Sequence, residues 1–115
     1  GQHWAEIEGR GDIAVITYGS TTGPVREALA RMRDDGHDAR LIAIRLLSPV
    51  QPARMADALK GVKRALVVEQ SHGGQFYRYL RAHYDLPPLV PFYRPGPLLF
   101  RPAEIQAQLM KEVRA

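Results

Sequence analysis

The chain has 115 residues, 45% of them apolar and 24% charged, with a formal net charge of +4 at pH 7; that is one domain with a single core, of ordinary globular composition and without disordered or low-complexity stretches. It contains no Cys, which excludes disulfides, thiolate catalysis, cysteine-ligated zinc and iron–sulfur ligation and fits a reducing cytoplasm. No apolar run approaches the ~20 residues that span a bilayer, and no signal peptide is visible.

The chain opens Gly1-Gln2 without an initiator Met, which reads as a domain, residues 1–115, excised from a longer subunit. Gln2 to Glu8 alternates loosely around Trp4 and Ile7 and reads as a short edge strand. Gly9-Arg10-Gly11 is a turn. Asp12 to Tyr18 is a nearly continuous apolar, β-branched run, the pattern of a strand buried on both faces in a parallel sheet. Gly19-Ser20-Thr21-Thr22-Gly23-Pro24 then opens a helix, with Pro24 suited to the first helical position. Val25, Ala28, Leu29 and Met32 form one buried stripe, and Gly36 is placed to end the helix in the left-handed conformation.

A third strand is expected over Arg40–Leu47. Ser48-Pro49-Val50-Gln51-Pro52 forces a turn, because a residue before proline is pushed out of the α region. Pro52 starts a helix carrying Met55, Ala56 and Leu59, and Gly61 closes it. A strand over Ala65–Glu69 and a helix from Gln75 to Tyr84 follow. Leu89–Tyr93 reads as a strand confined to an edge, since Pro91 has no N–H to donate. Arg94-Pro95-Gly96-Pro97 is an irregular, rigid crossing. A last helix begins at Pro102 or Ala103, with Ile105, Leu109 and Val113 inward. Strands alternating with helices predict an α/β fold: a mostly parallel sheet with helices on both faces and right-handed crossovers.

Polar residues where a strand gives way to a helix mark the place where open α/β sheets put function. The stretch Val67-Val68-Glu69-Gln70-Ser71-His72-Gly73-Gly74-Gln75 is the prime candidate. Glu69 and His72 form an acid/base pair if both face a substrate. The competing and favoured reading makes Glu69 a buried carboxylate bonded to loop N–H groups, or an interface residue. Gly19, Ser20, Thr21, Thr22 and Gly23 form either an anion cradle at a helix start or a tight turn whose hydroxyls cap the helix. The loop has neither Gly-x-Gly-x-x-Gly spacing nor a Lys after its last Gly, so it is no dinucleotide or Walker loop. His3, His37, His72 and His83 lack metal spacing. The tyrosines around Tyr79 are either core and rim or a partner surface. The arginines are scattered, which argues for a solvated surface and against nucleic acid as a partner.

Three stretches taken together, Ile16–Ser20, Arg45–Pro52 and Val67–Gln75, resemble in order and spacing the domain that follows the pyrimidine-binding domain in the α subunit of 2-oxoacid:ferredoxin oxidoreductases, especially the 2-oxoglutarate type. That domain is similar to the C-terminal domain of transketolase. The resemblance implies a three-layer α/β/α domain with a five-stranded, mostly parallel sheet and one antiparallel edge strand, here Gln2–Glu8. It also implies a holoenzyme that decarboxylates a 2-oxoacid on thiamine diphosphate and Mg, passes electrons through an iron–sulfur cluster to ferredoxin, and forms an acyl-CoA. Those cofactor sites lie on other domains in the family, and this chain has no Gly-Asp-Gly metal-diphosphate motif. The implied role is non-catalytic assembly with the remainder of the α subunit and the β subunit. Glu69, Gln70, Ser71, His72, Gly74, Gln75 and Tyr79 are the interface candidates. A regulatory module binding an anion at Gly19–Gly23 is the alternative.

Overall fold

The computed structural model describes residues 3–96 and 99–114. Five strands, β1 (Ala5–Gly9), β2 (Ile13–Tyr18), β3 (Arg40–Ile44), β4 (Arg64–Gln70) and β5 (Leu89–Arg94), alternate with four helices, α1 (Thr22–Asp34), α2 (Pro52–Ala58), α3 (Gln75–His83) and α4 (Pro102–Arg114). The strands form one sheet in the order β1-β3-β2-β4-β5. β3, β2, β4 and β5 are parallel, and β1 runs antiparallel on β3.

The continuous apolar runs of β2 and β4 sit at the centre because both their faces are covered. Val15, Leu66 and Val68 pack under Val25, Leu29 and Met32 of α1 and Ile105 and Leu109 of α4. Ile16 and Val67 face the opposite way, against Met55 of α2 and Phe76 and Leu80 of α3. The result is the three-layer α/β/α sandwich expected, with β1 as the antiparallel edge strand. Gln2 of the expected first strand lies outside the described residues, and Trp4 precedes the strand as a buried residue, 5% exposed. Pro91 pairs opposite Val67 on the outermost parallel strand, β5, where its missing N–H costs no ladder bond on the inner side.

Several boundaries differ from expectation: β1 runs to Gly9, β4 spans Arg64–Gln70, α3 ends at His83 and β5 at Arg94, and two further differences have a visible cause. Pro24 is the third residue of α1, because a 3₁₀ turn over Gly19–Thr21 lets the helix begin at Thr22. The first four N–H groups of any helix lack an internal acceptor, so proline is tolerated throughout that first turn. β3 stops at Ile44 rather than Leu47: the amides of Arg45 and Leu46 both turn to the Trp4 carbonyl, at 2.8 and 3.2 Å. Gly36, with φ +87°, ends α1 as expected; His37 N–H donates to Met32 O and Gly36 N–H to Arg33 O, the paired bonds of a Schellman cap. The crossing after β5 is described only to Gly96; Pro97 lies outside the described residues.

Candidate functional site

From β2 the chain passes through α1 to β3 on one side. From β3 it crosses through α2 to β4 on the other side of β2. The carboxyl ends of β2 and β4 are therefore the topological switch point, where open sheets leave a crevice. The two sequence-derived candidates, Gly19–Gly23 and Glu69–Gln75, lie at these two strand ends, and Ser20 Oγ donates to Gln70 Oε1 across the gap at 3.4 Å.

Glu69 is 1% exposed. Alternation along β4 turns it to the α3 side, and its carboxylate meets the first turn of that helix. Phe76 N–H donates to Oε2 and Tyr77 N–H to Oε1, both at 2.8 Å. Ser71 Oγ donates to Oε2 at 2.9 Å and accepts from Gly74 N–H at 3.0 Å. A negative charge thus sits on the free amides and positive dipole end of a helix, an arrangement that offsets much of the cost of burying it. The acid is committed to internal donors. His72 is exposed, and among the described residues no hydrogen bond joins it to Glu69. The structure therefore does not assemble the acid/base pair and matches the reading of Glu69 as a buried carboxylate bonded to loop N–H groups.

Gly74 completes the turn. Its φ is +69°, and a Cβ there would stand 3.2 Å from the Tyr93 ring. Gln70 points along the other side of β4, where a Cβ on Gly96 would meet its side chain at 3.5 Å. Gln75 is exposed at the first position of α3, and Tyr79 is half-buried one turn on. Tyr79 stacks beside Phe76 and His83, at ring separations of 6.3 and 4.8 Å.

In the Gly19–Gly23 loop the Thr21 hydroxyl is turned inward. Thr17 Oγ1 lies 2.7 Å from Val68 O and 2.5 Å from Thr21 Oγ1, and Thr21 Oγ1 lies 2.9 Å from Tyr18 O. The two hydroxyl protons are shared among these three contacts, two bonds at a time, with Thr17 to Val68 O stitching β2 to β4 and Thr21 to Tyr18 O holding the 3₁₀ turn. Thr21, the residue before α1, makes no side-chain cap bond to the helix: its hydroxyl faces back to β2. Thr22 and Gly19 line a hollow of about 420 Å³ with Tyr18, Arg26, Arg45 and Glu6. Its arginines are already matched. Glu6 accepts from Arg45 Nη1 and from Arg26 Nη2, each at 2.6 Å, and Glu8 accepts from Arg26. The Arg45 hydrogen bond, with Arg26 behind it, holds the Glu6 carboxyl below the usual carboxylate range.

Sequence reasoning missed this ladder, and it missed a second one at the far edge. Arg94 forks onto Glu104 at 3.2 and 2.7 Å and lies over the Phe100 ring, 4.4 Å from its centroid. The Arg94 bond, followed by the Arg101 amide, lowers the Glu104 carboxyl from its ordinary value. Both ladders join residues remote in sequence, so no spacing rule announces them. Among the described residues no cluster of three His, Asp or Glu is placed to hold a metal ion, and no helix is long and apolar enough to cross a membrane.

Known proteins resemble this chain in sequence and fold. A family model described as pyruvate:ferredoxin oxidoreductase core domain II matches residues 11–105. The α subunit of 2-oxoacid:ferredoxin oxidoreductase 2 from Aeropyrum pernix is 40% identical over 76 residues, covering 66% of this chain and 12% of that protein. The solved 2-oxoglutarate:ferredoxin oxidoreductase from Magnetococcus marinus, with 2-oxoglutarate, coenzyme A and succinyl-CoA bound, superposes with a TM-score of 0.87 at 31% identity, over 95% of this chain and 19% of that one. A split-gene transketolase, an inactive β4 tetramer, shares the fold with a TM-score of 0.68 at 18% identity, over 93% of this chain and 39% of that one. The chain thus spans only 12% and 19% of the Aeropyrum and Magnetococcus proteins. With the five-stranded sheet, the carboxylate-capped strand–helix turn and a family match over most of its length, this chain belongs to the core domain II family of the 2-oxoacid:ferredoxin oxidoreductases.

Proposed function

We propose that this chain serves as a non-catalytic, assembly-supporting domain of the α subunit of a thiamine-diphosphate-dependent 2-oxoacid:ferredoxin oxidoreductase acting on 2-oxoglutarate in the cytoplasm. The observation that carries the reading is the state of Glu69. It is the one buried acid among the described residues, it sits where such a fold places chemistry, and its oxygens are consumed by the α3 amides and Ser71. A general base needs an oxygen within reach of a substrate proton; this one is spent on folding.

The residues present do not fit the holoenzyme's cofactors. Iron–sulfur ligation needs thiolates and the chain has no Cys. The Gly-Asp-Gly metal-diphosphate motif is absent from the chain, and among the described residues no three His, Asp or Glu gather at one place. Thiamine diphosphate, Mg and the cluster, and the encounters with coenzyme A and ferredoxin, belong in this reading to the other domains and the β subunit. The similarity to the Magnetococcus enzyme supports 2-oxoglutarate as the substrate.

The test uses the intact oxidoreductase. Ser20→Ala and Glu69→Gln are expected to leave kcat per assembled enzyme within about twofold, while Glu69→Gln lowers the yield of assembled enzyme. A loss of kcat beyond ~100-fold with assembly intact, the size expected for removing an acid/base group, overturns the non-catalytic role. Preference for another 2-oxoacid overturns the substrate assignment alone.

A further inference from the structure

The turn from β4 into α3 holds two adjacent glycines, and only one of them is required by its backbone. Gly74 is left-handed, with a φ of +69°, whereas Gly73 is not. A Cβ built on Gly73 would find side-chain nitrogens as its three nearest neighbours beyond the adjoining residues: Arg78 Nη2 at 3.4 Å, Arg78 Nη1 at 3.9 Å and Gln75 Nε2 at 4.0 Å. The missing side chain therefore leaves a notch walled by N–H donors. Glycine serves at such positions when a ligand approaches the backbone closely.

Those donors have no acceptor. Arg78 and Gln75 are exposed, and among the described residues neither side chain makes a hydrogen bond or an ion pair. Helical side chains lean toward the helix N-terminus, which carries the Arg78 guanidinium back to the turn and away from Asp85, beyond the far end of α3. Glu69 lies beneath the turn, but its oxygens accept from the Phe76 and Tyr77 amides and from Ser71. Glu104, near the end of β5, is taken by Arg94 and the Arg101 amide. From Gln70 to Tyr84 the chain has no other carboxylate to offer, since it contains no Asp or Glu there.

We infer that the Gly73 notch binds an oxyanion, the phosphate or carboxylate group of a small ligand, with the Arg78 fork as the charged donor and the Gln75 carboxamide as the second. A planar guanidinium offers two parallel N–H groups to either kind of oxyanion, and a donor set without an acceptor admits an anion and disfavours a cation. The free amides of α3 are not part of the site, because Glu69 occupies them. The notch lies at the carboxyl end of β4, beside the switch point where open α/β sheets take ligands, and its donors stand outside the Thr17–Thr21 and Glu69–Ser71 networks. This goes beyond the assembly role and does not depend on it.

The experiment treats the intact oxidoreductase with phenylglyoxal, which labels accessible guanidinium groups, and follows each arginine by peptide mass spectrometry. Ionic strength is held constant with chloride, part of which is replaced by inorganic phosphate or by acetate. One of these anions is expected to slow labelling of Arg78 by about fivefold, the protection reached at about four times the dissociation constant. The better protector tells whether the natural group is a phosphate or a carboxylate. Arg33 and Arg54, exposed and without an ion pair among the described residues, are expected to react at unchanged rates. Gly73→Ala fills the notch against the end of the Arg78 side chain alone, with no left-handed backbone to strain, and Gln75→Ala removes the second donor. Each is expected to cut the protection below about twofold while Arg78 still reacts. Protection of Arg78 no greater than that of Arg33 and Arg54 overturns the inference. So does protection that persists in both variants, or an Arg78 that never reacts, since a neighbouring domain then covers it. None of these readouts uses turnover or assembly yield, so the proposed function stands or falls separately.

Discussion

Removing the Glu69 carboxylate strands the N–H groups of Phe76 and Tyr77 at the buried start of α3 and frees the Ser71 hydroxyl from its acceptor. A buried donor left unpaired costs about 1–3 kcal/mol, and loss of a cap in general about 0.5–2 kcal/mol. Glu69→Ala also opens space between β4 and α3, so about 3–5 kcal/mol is expected, against a total stability on the order of 6–17 kcal/mol for a chain of this length. Glu69→Gln preserves shape and one acceptor oxygen but turns an NH₂ donor toward N–H donors, at about 1–3 kcal/mol. Ser71→Ala removes the bridge to Gly74 and costs about 1 kcal/mol. Combined with Glu69→Ala it adds less than its own value, because both residues belong to one network. Urea unfolding reads these as shifts in midpoint at unchanged slope, and hydrogen exchange at the Phe76 and Tyr77 amides localises them to the first turn of α3. If Glu69→Ala and Glu69→Gln both unfold within about 0.5 kcal/mol of the parent, the range of neutral surface changes, the capping argument is refuted.

Gly74→Ala combines a left-handed backbone with a Cβ placed 3.2 Å from the Tyr93 ring and is expected to lose about 2–3 kcal/mol; Gly19→Ala has a similar φ of +68° but no neighbour within 4 Å and is expected to lose only about 1–2 kcal/mol, a contrast that thermal unfolding resolves. Tyr79→Phe breaks the bond to the Leu47 carbonyl, costing about 0.5–1.5 kcal/mol and speeding amide exchange in the loop that follows β3. Burial, with Tyr84 second, raises the Tyr79 phenol above its ordinary value, so alkaline absorbance titration should show one tyrosine ionising late and Tyr79→Phe should remove it. Glu6 titrates below its ordinary value through Arg45 and Arg26. Its folded pKa is depressed, so its contribution to stability is full above about pH 4.5 and disappears as pH falls through the folded value. Carbon-detected NMR of the carboxyl follows it, and Arg45→Ala should move the titration back up.

How much of this was legible depends on whether a residue's role is set by its own strand or by another. Ile13–Tyr18 and Ala65–Glu69 announced themselves because burial on both faces demands unbroken apolar sequence, and Pro91 announced an edge because it lacks an N–H. Gly36 could be read because a left-handed residue ends a helix at low cost only as glycine. The burial of Glu69 was legible from an acid at the end of an apolar run, but its donors, seven and eight residues on, depended on where α3 docks. Arg26 with Glu6 and Glu8, Arg94 with Glu104, and the tyrosines that pin the loop after β3 were not legible. Each pair spans a separation fixed by sheet order rather than by helix or strand period. The inward-facing Thr21 shows the limit most plainly. As a hydroxyl residue ahead of a helix it reads as a cap, yet its hydroxyl meets Thr17 Oγ1 and the Tyr18 carbonyl of β2 and makes no cap bond to the helix.

The switch point shows why place and use must be argued separately. Topology puts the carboxyl ends of β2 and β4 side by side and so creates a position where polar residues meet, but it does not dictate what they do there. In a ligand site the converging groups keep donors or acceptors aimed outward. Here the Thr17–Thr21 pair ties the two central strands, and the Glu69–Ser71 pair closes β4 onto α3. In the proposed reading, the convergence that elsewhere binds a substrate is turned inward and holds the sheet end together. The loop after β3 is bonded to α3 through Tyr79, and Glu69 holds the first turn of that helix. Weakening the Glu69 network should therefore loosen the Leu47–Val50 loop, although no atom of Glu69 touches it. Hydrogen exchange on Glu69→Gln should show faster exchange at Leu47 and Val50 than in the parent. Unchanged exchange there, with α3 loosened, would separate the fold of the turn from the loop bonded to it.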